Sequence, residues 1–122
     1  MNTARERGQW AEYLVARTLE RQGFTILETN YRKPYGEIDI IALKSDLLVF
    51  VEVKMRIAST VPLEAIITRR KRNRISAVAR AYLAATGYET TKSCRFDVAL
   101  LDGTTGSLTY IPQAFSESEH EQ

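Results

Sequence analysis

Hydrophobic positions along the chain follow two periods, and the switches between them mark the elements. From about Thr3 to Gln22, residues Trp10, Ala11, Leu14, Val15, Thr18 and Leu19 recur three or four apart, the spacing of one buried helical stripe. Gly23 follows as a C-terminal cap. Three segments with strand character come next: "FTILETNYR", "GEIDIIAL" and "LLVFVEVKM". The short polar "KSD" between the last two predicts an antiparallel hairpin. After Arg56, "IASTVP" reads as a connector, and Pro62 opens a short helical turn, "PLEAI". Thr68 then caps a longer helix to about Thr86, stopped by Gly87, with Ile75, Val78, Ala79, Tyr82 and Leu83 as its apolar stripe. "RFDVALL" makes a fourth strand. "LTYIPQAF", after the turn "DGTTG", makes a fifth at a sheet edge, because Pro112 has no N–H to give a ladder.

A helical crossover between the third and fourth strands makes them parallel and right-handed in connection. The third strand is apolar on both faces except at Glu52 and Lys54, which places it centrally with helices on either side. The expectation is a three-layer α/β/α sandwich around a mixed five-stranded sheet. It is one domain over residues 1–115, with an acidic polar tail over 116–122.

The placement of Glu52 and Lys54 in a Val- and Phe-rich strand requires a reason. If Ser45 and Asp46 form the hairpin turn, Lys44 pairs with Leu47, and counting back sets Asp39 opposite Glu52. Side chains alternate along a strand, so Lys54 shares the face of Glu52. Two carboxylates held this close repel, and one takes up a proton unless a divalent cation lies between them. Asp39, Glu52, the Val53 backbone carbonyl and retained waters form an oxygen-only set suited to Mg²⁺ or Mn²⁺. Such an ion activates water and neutralises charge developing on phosphorus, and Lys54 is placed to orient the water or meet the phosphorane oxygens. The competing reading makes the three residues a structural ion cluster.

Composition narrows the chemistry further. The single histidine, His120, lies in the tail "SESEHEQ", so histidine-based triads and zinc sites are set aside. The only cysteine, Cys94, reads as a small residue at the core edge. With no apolar leader in "MNTARERGQW" and no apolar run of membrane-spanning length, the expected setting is cytoplasmic. The formal charge of +2 conceals a segregation: Glu117, Glu119 and Glu121 offset a body in which "TRRKRNR" holds five cations and no acid. Arg69, Arg70, Lys71, Arg72 and Arg74, with Arg56, are candidates for gripping DNA phosphates. Lys71 is in phase with Ile75, Val78 and Tyr82 and points toward the core. Glu12 borders the first helix's stripe, within reach of the end of the sheet, with a solvated side chain as the stronger reading on residue type alone; Tyr31 and Tyr35 are candidates for stacking on unpaired bases.

"GEIDIIA", "LVFVEVKMR" and "RFDV", with "AEYLVARTLERQGFTIL" and "TNYR" before them, resemble the YraN-like family of uncharacterised proteins. These are predicted endonucleases of the PD-(D/E)XK superfamily, which includes archaeal Holliday-junction resolvases. The resemblance implies that Asp39 is the motif aspartate and Glu52 and Lys54 the (D/E)XK pair. It makes Glu12 the first-helix glutamate that completes the metal site, through water. Lys71 and Arg95-Phe96-Asp97 match family positions without a settled role. Ala11 stands where the family has glycine, and "ASTVPLEAI" lacks the connector glycine. The expected activity is Mg²⁺- or Mn²⁺-dependent hydrolysis of DNA phosphodiesters at branched structures, with a homodimer suited to a symmetric junction. The alternatives are a non-catalytic nucleic-acid-binding module of the same fold and a partner-binding adaptor.

Overall fold

The computed structural model describes residues 3–56 and 62–116. Most of the connector after Arg56, His120 and the acidic end of the tail lie outside them. Helix α1 spans Ala4–Arg21. Thr3 and Glu6 close a capping box at its start. At its end the Gly23 N–H donates to the Glu20 carbonyl and the Phe24 N–H to the Leu19 carbonyl, each at 3.0 Å. This is the Schellman arrangement, and it requires the left-handed backbone of Gly23, at φ +98°.

Strands β1 (Thr25–Lys33), β2 (Gly36–Lys44) and β3 (Leu47–Arg56) run antiparallel in succession. A short helix α2 (Leu63–Ile66) and a long helix α3 (Arg69–Thr86) lead to β4 (Ser93–Asp102) and β5 (Leu108–Phe115). Strand β4 is parallel to β3, and β5 closes the sheet antiparallel to β4 in the order β1-β2-β3-β4-β5. The Pro112 strand is therefore an edge, as its missing donor requires. Thr68 caps α3 by accepting the Lys71 N–H, and Gly87, at φ +75°, ends it. Pro62 occupies the cap of α2 rather than its first turn. A single 3₁₀ turn, Tyr88–Thr90, had no sequence counterpart.

Helix α1 packs Val15 and Leu19 on one sheet face against Ile40, Ala42, Val49, Val51 and Ala99. Helix α3 packs Ile75, Val78, Ala79 and Tyr82 on the other, against Ile38, Ile41, Leu48, Phe50 and Phe96. This is the expected three-layer sandwich. Among the described residues no helix is long and apolar enough to cross a membrane.

Two burial expectations fail. Trp10 is 54% exposed, because the buried face of α1 is the narrow ridge of every fourth residue, Ala11, Val15 and Leu19. Trp10 stands about 100° round the helix from Ala11 and stacks on Tyr13, with ring centroids 5.8 Å apart. Cys94 is exposed, since β4 begins earlier than "RFDVALL" suggested and Cys94 sits at its open start. Ser76 of α3, a polar residue beside the stripe residue Ile75, is buried as well.

Candidate active site

The hairpin turn falls on Ser45-Asp46, and the β2–β3 register runs from Lys44↔Leu47 to Ile40↔Val51. Beyond that pair the side chain of Asp39 takes over: its Oδ2 accepts the Val53 N–H at 2.8 Å. Alternation along β2 also lapses here, since Ile38 and Ile41 both reach the α3 side. Asp39 and Glu52 thus meet through their side chains rather than as a ladder pair. Together with Lys54 and Lys71 they line a cleft of about 350 Å³ between the sheet end and α3.

Electrostatics in this cleft are unfavourable to the bare acids. Burial, the neighbouring Glu52 and, more weakly, Glu12 push the Asp39 carboxyl up to about 8, against the Val53 N–H. Burial also raises Glu52, while Lys71 and Lys54 hold it down. The two carboxyls act directly on each other, and of the pair Asp39 is the one driven toward its protonated form. The nearest compensating cation is loose. Lys71 Nζ stands 3.6 Å from Glu52 Oε2, with a third of its side chain in solvent. Lys54 is exposed at the mouth.

Glu12 lies in an adjoining cleft of about 440 Å³ with Arg5, Gln9, Asn30 and Arg32. Its Oε1 accepts from Asn30 Nδ2 at 3.1 Å, and Asn30 is held in the left-handed region at φ +53°. Among the described residues no three of His, Cys, Asp and Glu gather closely enough to hold an ion. The close donor set is therefore the Asp39–Glu52 pair, with Val53 beside it. Two hard carboxylate oxygens, short of one positive charge and open to water, fit an ion that binds through one or two carboxylates and keeps its waters.

The basic run divides by helical phase. Lys71 and Arg74 line the acid cleft. Arg72 turns to a separate small groove with Leu63, Ile67 and Phe115, and Arg69 and Arg70 are exposed at the start of α3. Arg56 ends β3 beside Asp102 of β4, away from the cleft lining. Tyr31 packs edge-on against Tyr82, with centroids 5.1 Å apart, whereas Tyr35 is 49% exposed. The "RFD" segment has a structural task. Asp97 is fully buried and accepts from Arg95 Nε and Nη2 at 2.8 and 2.9 Å, the Tyr110 hydroxyl and the Gln113 N–H.

Sequence reasoning did not find Asn30, which positions Glu12, or the packing role of Gly36. A Cβ on Gly36 would stand 3.2 Å from both Arg74 Cβ and Val78 Cγ2, so only glycine lets the β1–β2 turn close on α3 without displacement. Its place directly before "EID" was the available signal.

The fold resembles that of Hjc, a Holliday junction resolvase of Archaeoglobus fulgidus. The TM-score is 0.52 at 19% identity, over 83% of this chain and 72% of that one, a likeness of fold that marks the core as restriction-endonuclease-like. Relatives by sequence are nearer. A UPF0102 protein of Nitrosomonas europaea is 42% identical over 97% of this chain and all of its own length. One of Moorella thermoacetica is 45% identical over 79% of this chain and 80% of its own. A family model described as "Uncharacterised protein family UPF0102" matches residues 11–101, a span that contains α1 from Ala11, the acid pair and the Arg95–Asp97 pair. The chain belongs to UPF0102, the YraN-like family.

Proposed function

We infer that the protein is a metal-dependent nuclease that hydrolyses phosphodiester bonds in DNA, with Asp39 and Glu52 holding Mg²⁺ or Mn²⁺. One observation carries this reading: two largely buried acids, Asp39 and Glu52, face one cleft with only a loose lysine as compensation. That arrangement is costly in a folded domain and is relieved by a cation supplied from outside. A divalent ion bound there supplies charge neutralisation at phosphorus and a more acidic water.

The chain's own groups supply the rest. Asp39, once ionised, keeps its Val53 hydrogen bond, which fixes the carboxylate. Lys54, at the solvent mouth of the cleft, orients the attacking water or stabilises the extra charge on the phosphoryl oxygens. Lys71, held only loosely by Glu52, is placed to meet a substrate phosphate at the cleft. Arg74 and the exposed Arg69 and Arg70 hold backbone phosphates without reading sequence. Glu12, anchored by Asn30, contributes through water across the adjoining cleft.

The test is a cleavage assay on linear, flapped and four-way DNA, with Mg²⁺ or Mn²⁺ and with Asp39→Asn and Glu52→Gln as controls. Cleavage of at least one shape, lost in both variants, is expected. Folded protein that cuts none of them, yet binds DNA with an affinity indifferent to Glu52→Gln, identifies a binding module instead.

A further inference from the structure

The acid cleft is not isolated. It shares Glu37 with the cleft that holds Arg5 and Arg32. On its other side it shares Gly36 and Arg74 with an open cleft of about 510 Å³ lined by Pro34 and Tyr35. The three make one trench across the β1–β2 hairpin, with the acids at its centre. Its two flanking acids each have a partner: Arg32 Nε stands 3.1 Å from Glu37 Oε1, and Glu12 Oε1 accepts from Asn30 Nδ2 at 3.1 Å.

The Tyr35 end is built differently from the Arg32 end. Lys33 pairs with Gly36 across a two-residue turn, Pro34-Tyr35, and proline fixes its own φ. The turn rests directly on α3, against Arg74 and Val78. Tyr35 therefore projects from a short, restrained support, and ordering its ring on a ligand costs little. Half of its surface is in solvent, beside a guanidinium. An exposed aromatic ring next to a cation, along a groove, is what binds an unpaired base and its phosphate. A duplex, with its bases already stacked, has no use for the ring.

Resting on the nuclease reading, we propose that the trench is a strand path and that Tyr35 selects its substrate class. Tyr35 stacks on an unpaired base while Arg74 holds the adjoining phosphate, so flapped, branched or single-stranded DNA is taken in preference to continuous duplex.

The experiment measures equilibrium binding of fluorescent single-stranded, flapped and fully paired DNA of equal length, without divalent metal. Wild-type protein is compared with Tyr35→Ala, Tyr35→Phe and Arg74→Ala. Tyr35→Ala is expected to weaken flapped and single-stranded DNA about tenfold, within the range for one lost stacking partner, and duplex less than about twofold. Tyr35→Phe keeps the preference, because the ring and not the hydroxyl is used, and Arg74→Ala weakens all three. Equal losses on every DNA, no loss, or no binding by the wild type each overturn the proposal. Cleavage without Tyr35 dependence removes this inference and leaves the nuclease. Tyr35-dependent binding without cleavage does the reverse.

Discussion

Two buried aspartates on the same sheet, Asp39 on β2 and Asp97 on β4, are treated in opposite ways. Asp97 is met by a bidentate Arg95, the Tyr110 hydroxyl and the Gln113 N–H, and the bond to Asp97 in turn raises the Arg95 guanidinium. Asp39 receives one N–H, from Val53, and its nearest charged neighbour is another acid. A buried charge is tolerated when it is paired and fully hydrogen-bonded. The Asp97 cluster meets that condition and pins β5 to β4. The Asp39 cluster does not, and the sheet carries its cost at the mouth of a cleft. Burial alone marks neither residue as functional; the shortfall in compensation separates them.

The contrast is most sharply broken by removing each carboxylate. Asp97→Ala strands Arg95, Tyr110 and Gln113 together, and loss of one partner of a buried pair costs about 3–5 kcal/mol. For a domain of this size the melting temperature falls by roughly 10 °C or more. Asp39→Asn has the opposite sign. The folded carboxyl titrates near 8 and an unfolded one near 4, so the native state holds a proton the unfolded chain has released. Wild-type stability therefore declines as pH rises from about 4 to about 8. Asparagine still accepts the Val53 N–H and carries no charge to lose. Half of the Asp39 displacement corresponds to roughly 2–3 kcal/mol, and the variant should gain on wild type by that order between pH 5 and pH 8. Thermal melts across that range check both the direction and the window. A stability gap that stays flat with pH would remove the frustrated-pair interpretation.

A divalent ion should correct the wild-type shortfall in the same way. Mg²⁺ at ten times its dissociation constant stabilises a protein that binds it only when folded by about 1.4 kcal/mol. That shift should appear in wild-type melts at pH 8, shrink at pH 5, where the acids hold their proton, and vanish in Asp39→Asn and Glu52→Gln. The milder Asp97→Asn should keep it, because the Arg95 cluster offers an ion nothing. Melts of the four proteins with Mg²⁺ against matched NaCl separate ion binding from general screening.

How much of this was legible before the structure follows from the range of each interaction. The caps at Thr68 and Gly87 and the Ser45-Asp46 turn are local, and the hairpin arithmetic from Lys44↔Leu47 correctly led to Ile40↔Val51. It also placed Asp39 beside Glu52, although alternation lapses between Ile38 and Ile41 and the meeting is made by side chains. The Asp97 cluster was not legible, because Tyr110 and Gln113 reach it from the far side of a turn and Gln113 does so with a left-handed backbone, at φ +54°. The surroundings of Glu12 were hidden for the same reason: they depend on Asn30 adopting a positive φ inside a strand. Trp10 was misplaced because a helical wheel gives the direction of a stripe but not the width of the sheet beneath it.

The smallest effect on stability tests the cations rather than the acids. Arg95 lies 2.8 Å from a fully buried partner, whereas Lys71 lies 3.6 Å from Glu52 and keeps a third of its side chain in water. Lys71→Met should therefore cost less than about 1 kcal/mol at pH 5, as for other solvent-screened pairs. Its effect should grow with pH, because Lys71 is the largest influence lowering the Glu52 carboxyl. Without it Glu52 is raised further, the folded state clings to its proton over a wider range, and stability falls more steeply with pH above about 4.5. Arg95→Met, by contrast, should be severe across the same pH range, because it strands a fully buried carboxylate. A Lys71→Met protein whose melting temperature runs parallel to wild type from pH 5 to pH 8 would show that Lys71 does not compensate Glu52. The lysine would then be free for phosphate from the outset, and Glu52 would depend on the ion alone.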